Sequence, residues 1–303
     1  MSVSLRCVEA SDLLLPGSLP EALAMMAEPE PPTPLAGGTD LMVQCEAGAR
    51  KPPARLLSLK QLPELKGIDE ADDTIRIGAG ATHWQIRNHA DVKVGLPGLV
   101  EAVSMVGGRQ IQTMGTIGGS LANGSPAGDI APYLLIADAV VEVASIEGTR
   151  QIPIRNFLID YRKIDLKPNE LIVAVTCKVL PEGAKEGWRK LGPRAAQAIS
   201  KIMGNYRGKI VDGVIESFAV SLGSVAPTAI RLPEVEAFLV GKPLSEETIA
   251  EAERLASASV KPISDIRSTA EYRKWVAGRL VRGFLTSFTK GNEGSEGSEG
   301  CES

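Results

Sequence analysis

Two glycine-paired segments hold the residue types best suited to chemistry in this chain. The first is Leu35-Ala36-Gly37-Gly38-Thr39-Asp40-Leu41. The second is Thr116-Ile117-Gly118-Gly119-Ser120-Leu121-Ala122-Asn123-Gly124-Ser125-Pro126-Ala127-Gly128-Asp129. Paired glycines reach positive φ and let a ligand approach the backbone with no Cβ in the way. Successive N–H groups exposed by such a turn form an anion-binding concavity, and a following helix N-terminus adds a favourable field. The hydroxyls of Thr39, Thr116, Ser120 and Ser125 can donate to phosphate or ribose oxygens without adding charge. Two such loops could clasp a diphosphate from both sides with no lysine cluster. A Gly-Gly pair is also the ordinary mark of a turn, and the first segment alone is explained as well by that. The second is a run of small side chains that is costly to order unless something fills the space it leaves. Neither G-x-G-x-x-G after a strand nor G-x-x-x-x-G-K-[ST] is present, so Rossmann and P-loop readings lack their markers.

These segments sit among elements the sequence marks clearly. Ser18 and Glu21 bracket a helix start, with Leu19, Ala22, Leu23 and Met26 at helical spacing. Prolines 29, 31, 32 and 34 end that helix and keep the approach to the first glycine pair extended. A short helix is expected over residues 41–46, strands over 55–59 and 74–79, and helices over 82–88 and 97–106. Thr82 and Gln85 are placed as a capping box. Residues 107–129 are the most unusual stretch, dense in Gly, Ser, Thr and Asn, with 116–129 read as a loop and Asp129 capping a helix to about residue 137. Strands follow over 140–144 and 170–179. The character changes around residues 181–187. Beyond it come strands over 187–191 and 214–222, then helices over 233–240, 245–259 and 269–288. Strands followed by helices predict an α+β domain rather than a parallel βαβ sheet. The Gly-Ser-Glu repeat after Gly291 cannot bury a core and reads as a disordered tail.

Composition narrows the function classes. The chain has 303 residues, 44% hydrophobic, enough for one large domain or two to three smaller ones. A net charge of −4 and 4% aromatic residues argue against nucleic-acid binding, which needs a basic face and stacking rings. The cysteines, Cys7, Cys45, Cys177 and Cys301, are too scattered for a zinc or iron–sulfur site. They suggest a reducing compartment. Glu9 and Asp12 near the N-terminus do not suit a signal peptide, and Asp138 and Glu142 interrupt the most apolar stretch. A cytoplasmic protein with no membrane insertion is expected.

The two glycine motifs, together with Trp188-Arg189-Lys190-Leu191-Gly192-Pro193-Arg194-Ala195, Ala198-Ile199-Ser200, Asp265-Ile266-Arg267 and Tyr272-Arg273, resemble the FAD-binding medium subunits of molybdenum hydroxylases. That family includes the flavin subunits of xanthine dehydrogenase and carbon monoxide dehydrogenase, and the likeness runs to about residue 285. The resemblance implies an α+β protein with a two-part vanillyl-alcohol-oxidase-type (PCMH) FAD domain over residues 1–180, divided near 58. A C-terminal α+β domain over 181–288 and a tail from 289 would follow.

It implies that Leu35, Ala36, Gly37, Gly38, Thr39, Asp40 and Leu41, with Thr116, Ile117, Gly118, Gly119 and Ser120, hold the FAD diphosphate and its surroundings. Asp129 would contact FAD near its adenosine part, and Ile172 would line the flavin pocket. Lys190 would lie near the isoalloxazine and favour negative charge on it. Val106 and Gly107 are weaker matches toward the flavin, as is Tyr161.

The expected partners are a large molybdopterin-binding subunit and a small subunit with two [2Fe–2S] clusters, in a dimer of heterotrimers. Electrons would pass from the clusters through FAD to NAD⁺, oxygen or another carrier. No catalytic or metal-binding residue is assigned to this chain. It lacks the inserted cysteine-rich segment of relatives that act on aromatic thioesters.

Other residues carry less. His83 and His89 are too far apart to share a helix face, and neither matches a covalent flavin attachment point. Cys45 reads as a buried structural thiol, and Trp188 and Trp275 as core or interface anchors. Two alternatives remain: a stand-alone FAD oxidoreductase of the same fold, for which no histidine or carboxylate pair offers itself as acid or base, and a non-catalytic assembly subunit.

Overall fold

The computed structural model describes residues 12–194 and 197–289. Cys7, Cys301, Ala195 and the Gly-Ser-Glu tail lie outside the described residues, apart from Thr289, which ends the last helix.

The N-terminal part opens with a three-stranded parallel sheet in the order Asp12–Leu14, Arg55–Ser58, Thr33–Leu35. The helix Leu19–Met26 crosses between its outer strands. Ser18 caps it by accepting from the Glu21 N–H, while the Glu21 carboxylate reaches back to Gly17 N at 2.7 Å. The strand Thr33–Leu35 runs directly into the first glycine pair, so the pair lies at the C-terminal edge of a parallel sheet, where such sheets leave their loops open to ligands.

A five-stranded antiparallel sheet follows, in the order Ile68–Ala71, Thr74–Gly78, Leu171–Lys178, Val140–Ser145, Gly148–Pro153. Its central strand reads Leu-Ile-Val-Ala-Val-Thr-Cys-Lys, a continuous apolar run, because both its faces are covered. A bulge between Ile172 and Ala174 inserts Val173 as an extra residue. Leu171 and Val173 thereby face Leu57, Leu62 and Met26, while Ile172, Val175 and Cys177 face the larger core of Leu99, Val103 and Tyr133. Bulges redirect side chains in this way next to functional sites.

The C-terminal part is a four-stranded antiparallel sheet, Lys185–Leu191, Ile202–Val211, Val214–Gly223 and Ile230–Arg231, followed by three helices. Its core joins Val220 and Leu222 to Val276, Leu280 and Phe284 of the helix Ala270–Thr289. Strands then helices is the α+β order expected.

A buried polar knot ties the two parts. The Glu186 carboxylate accepts from Gly98 N at 2.7 Å, the Tyr133 hydroxyl at 3.0 Å and Arg207 Nε at 2.9 Å. Arg207 also donates to the Lys178 and Val179 carbonyls. With its side chain fully enclosed, Glu186 satisfies both oxygens, which burying a charge requires. Ser221 Oγ and Ser224 N reach across to the Pro132 and Pro126 carbonyls.

Two expectations need correction. The second glycine segment is not a loop throughout: Ile117–Asn123 is helical, capped by Thr116, whose Oγ1 accepts from Gly119 N at 3.1 Å, and Arg109–Met114 before it is helical too. Nor does Asp129 cap the next helix. Ala131–Ile136 starts from Ile130 with no side-chain cap, and Asp129 turns one carboxylate oxygen to Lys190 instead.

Candidate functional site

A cavity of about 1350 Å³ lies where the parallel sheet, the antiparallel sheet and the C-terminal part meet. It exceeds the roughly 300–1,000 Å³ of a small-ligand pocket and has room for a dinucleotide. Its walls hold Leu35, Ala36, Gly37, Gly38, Thr39, Asp40 and Leu41, then Val106, Thr116, Gly118, Gly119, Ser120, Asp129 and Ile172. The two glycine segments are thus on one site. Three residues expected there are not in the wall. Ile117 is fully buried beneath it, and Gly107, at φ +56°, turns the chain into the helix Arg109–Met114 against Ile111. Lys190 reaches Asp129 from behind.

The first loop is built to display donors. Gly38 sits at φ +70°, a left-handed position that favours glycine. A Cβ on Gly37 would lie 1.8 Å from the Met114 carbonyl oxygen, so the loop is packed backbone to backbone on the segment leading to Gly115. The N–H groups of Gly37, Gly38, Thr39 and Asp40 donate to no carbonyl or side chain of the described residues. They are half-buried or exposed at the cavity, and such groups call for an outside acceptor.

The second loop differs at its glycine pair, where the expectation of exposed amides is not met over residues 117–120. Ile117 N donates to the Ala81 carbonyl at 3.1 Å, Gly118 N to the Ala79 carbonyl at 3.0 Å and Ser120 N to the Thr116 carbonyl at 3.0 Å. Gly118 is required because a Cβ would lie 2.7 Å from Ala79 Cβ. This segment offers the hydroxyls of Thr116 and Ser120 to the cavity.

Asp129 and Lys190 form a buried ion pair at 2.7 Å, their side chains 10% and 5% exposed. Burial pushes the Asp129 carboxyl up to about 6, against the pull of the Lys190 ammonium. Lys190 takes Asp129 Oδ2; Oδ1 is buried, meets no donor among the described residues and belongs to a cavity-wall residue. A hydroxyl or amine of a ligand would satisfy it.

Sequence reading passed over three wall features. His83 was set aside, yet it is 1% exposed, with Nε2 3.1 Å from Ser120 Oγ. Ala79 and Gly80 line the cavity; Cβ atoms on Gly78 and Gly80 would press within 3 Å of the Leu65 carbonyl oxygen, so these glycines let the antiparallel sheet pack against the turn Pro63–Leu65. The C-terminal part contributes Ser200, Ser224, Ile263 and Arg273. Arg273 is held by Asp265 at 2.7 Å. Burial opposes ionisation of Asp265, but Arg273 and the Arg267 and Ser268 N–H groups bring its carboxyl down to about 2. The motif residues Asp265 and Arg273 gave a signal for this; the others are scattered. Tyr161, 62% exposed, stands at the cavity rim on the loop that Arg150 braces through Asp165 and Glu170.

Comparison with known proteins decides what kind of site this is. Residues 8–177 match the family model described as the FAD binding domain in molybdopterin dehydrogenase. Residues 189–288 match the CO dehydrogenase flavoprotein C-terminal domain. The chain belongs to the FAD-binding medium subunits of molybdenum hydroxylases.

It is 31% identical over 269 residues to the nicotinate dehydrogenase FAD-subunit of Eubacterium barkeri, covering 87% of this chain and 90% of that one. The xanthine dehydrogenase FAD-binding subunit of Escherichia coli O157:H7 is 30% identical, covering 84% and 88%. Among solved structures, a carbon monoxide dehydrogenase from Hydrogenophaga pseudoflava superposes with a TM-score of 0.86 at 28% identity, covering 90% of this chain and 95% of that one. The chain is therefore an oxidoreductase flavoprotein subunit. Among the described residues no helix is long and apolar enough to cross a membrane.

Proposed function

We propose that this subunit holds FAD in the cavity and relays electrons between the [2Fe–2S] clusters of a small partner subunit and an external acceptor. A large partner subunit would carry the molybdenum cofactor, in a dimer of heterotrimers in the cytoplasm. The observation that carries the reading is the first loop. Gly37, Gly38, Thr39 and Asp40 line a dinucleotide-sized cavity, and their N–H groups, which have no acceptor among the described residues, are the kind of donor a diphosphate needs. At another place in the wall, Asp129 Oδ1 awaits a hydroxyl or amine, which the adenosine part of FAD carries. Both features fit the cofactor.

The chain's own contribution is binding, orientation and exclusion of water. Residues 36–41 anchor the diphosphate, with the hydroxyls of Thr116 and Ser120 beside it. Ile172, redirected by the bulge, and Val106 supply apolar wall for the flavin. Lys190 acts on the site through Asp129, which it holds in place and keeps ionised. FAD when bound supplies the redox chemistry, accepting and releasing electrons singly or in pairs. We further propose the division at about residue 58 and at about 181, since the three main sheets draw their strands from 12–58, 68–178 and 185–231 respectively.

The test is the visible absorption spectrum of the purified chain after FAD addition and removal of excess. Retained flavin bands are expected. A folded chain that stays colourless, alone and in its complex, would contradict the reading.

A further inference from the structure

His83 is a buried polar residue of the cavity wall that cofactor binding, as described, does not use. Its role rests on the reading that the diphosphate of FAD lies in this cavity. The imidazole is 1% exposed, and burial lowers it to about 4, so it is neutral at physiological pH. A neutral imidazole has one N–H, and where that proton sits decides what Ser120 can do. Nε2 is 3.1 Å from Ser120 Oγ, while Nδ1 is buried without a partner.

If the proton were on Nδ1, a buried donor would stand without an acceptor. The Ser120 proton would then point at Nε2, away from the cavity. If the proton is on Nε2, it is satisfied by Ser120 Oγ, and only a lone pair is left unused at Nδ1. Orphaned buried N–H groups are rarer than under-used acceptors. In this second arrangement the Ser120 proton is free, and Ser120 is in the cavity wall. The backbone around it points the same way. The Ile117, Gly118, Gly119 and Ser120 N–H groups are already bonded within the chain, so residues 116–120 have hydroxyls and not amides to offer an anion. The backbone that carries the ring is also fixed: His83 N donates to the Gly115 carbonyl at 3.0 Å, and the capping box of Thr82 and Gln85 sets the start of its helix.

We propose that His83 is a positioning residue whose Nε2–H donates to Ser120 Oγ and so turns the serine proton onto a phosphate oxygen of bound FAD. Such a chain of two bonds polarises the hydroxyl toward the anion.

The experiment measures FAD affinity of the full-length chain by flavin fluorescence for wild type, His83→Leu, His83→Gln, Ser120→Ala and the double variant His83→Leu/Ser120→Ala. It also records the imidazole nitrogen spectrum of the FAD-loaded wild type. With two histidines in the chain, only two rings contribute. The expected result is about tenfold weaker binding for His83→Leu and for Ser120→Ala, with the double variant no weaker than Ser120→Ala. His83→Gln, which keeps an N–H where Nε2 stood, should bind within about threefold of wild type. His83 should show the Nε2–H tautomer. The Nδ1–H tautomer, or losses that multiply in the double variant, would overturn the proposal even if wild type binds FAD tightly. Should His83→Leu fail to fold, the tautomer in wild type decides. A wild type that takes up no FAD defeats the cofactor reading itself.

Discussion

The two Gly-Gly segments share a dipeptide and a cavity but do opposite things with their backbones. At Gly37-Gly38 the chain leaves the end of a parallel strand, passes through φ +70° and leaves four consecutive N–H groups without an acceptor among the described residues. At Gly118-Gly119 the chain is helical, its N–H groups bond to Ala79, Ala81 and Thr116, and its glycine serves to seat the helix on Ala79. One pair exposes backbone and the other packs it away, so hydroxyls must take over the polar work. In both pairs one glycine, Gly37 or Gly118, is required by protein backbone packed against it; the pairs differ in whether the neighbouring N–H groups find an acceptor among the described residues.

Substitutions can break or sharpen that contrast. The largest effect is expected for Gly37→Ala, whose new methyl would lie 1.8 Å from a backbone oxygen that no side-chain motion can relieve. Loss of flavin absorbance together with a marked fall in Tm is the outcome to look for.

Next comes Lys190→Met, which leaves Asp129 buried beside no cation. Removing one partner of a buried pair costs about 3–5 kcal/mol, here reduced because the carboxyl can protonate. The sign with pH follows. Without Lys190 the folded-state Asp129 rises further above its unfolded value of 3.8, so the folded form binds more protons, and the deficit grows as pH rises. Urea unfolding at pH 5 and pH 8 measures it, and a deficit independent of pH would show that the pair is not what keeps Asp129 ionised.

His83 gives the opposite pH dependence. Its folded value of about 4 lies below the unfolded 6.5, so it contributes no penalty above pH 6.5. It removes stability as pH falls from there to 4, by up to about 3 kcal/mol. His83→Gln should unfold at lower pH than wild type in a Trp-fluorescence acid titration. The smallest effect is expected for Gly119→Ala, where the added methyl meets only Thr116 Oγ1 at 3.1 Å in an exposed helical position. Stability should stay within about 1 kcal/mol of wild type, since alanine favours a helix over glycine by nearly that much. If this variant lost flavin as completely as Gly37→Ala, the two loops would not differ as described.

The sequence carried much of this. The capping residues Ser18 and Thr82 placed their helices, and the central strand 171–178 was plain from its apolar run. Ile202–Val211 was not, because Gly204, Asn205, Arg207, Gly208 and Lys209 hide its pattern. In the fold, Gly204 and Gly208 leave room for the rings of Phe284 and Phe288, which come from 80 residues downstream. Gly148–Pro153 is an edge strand with a single buried residue, too polar to announce itself. The helix Ile117–Asn123 was missed because glycine is a poor helix former; here the Thr116 cap and the contacts with residues 79–81 override propensity. The anchoring loop was legible from its glycines. The role of His83 was not, since its partner Ser120 is 37 positions away and no local spacing joins them.

The central claim is that the backbone of the first loop, and not that of the second, meets the anion. Amide hydrogen exchange of the purified chain with and without FAD tests it at residue level. The account predicts that the amides of residues 37–40 exchange fast without FAD and become protected when it binds, while those of 117–120 are protected in both states. Protection that appears at 117–120 on FAD binding, with 37–40 unchanged, would contradict it.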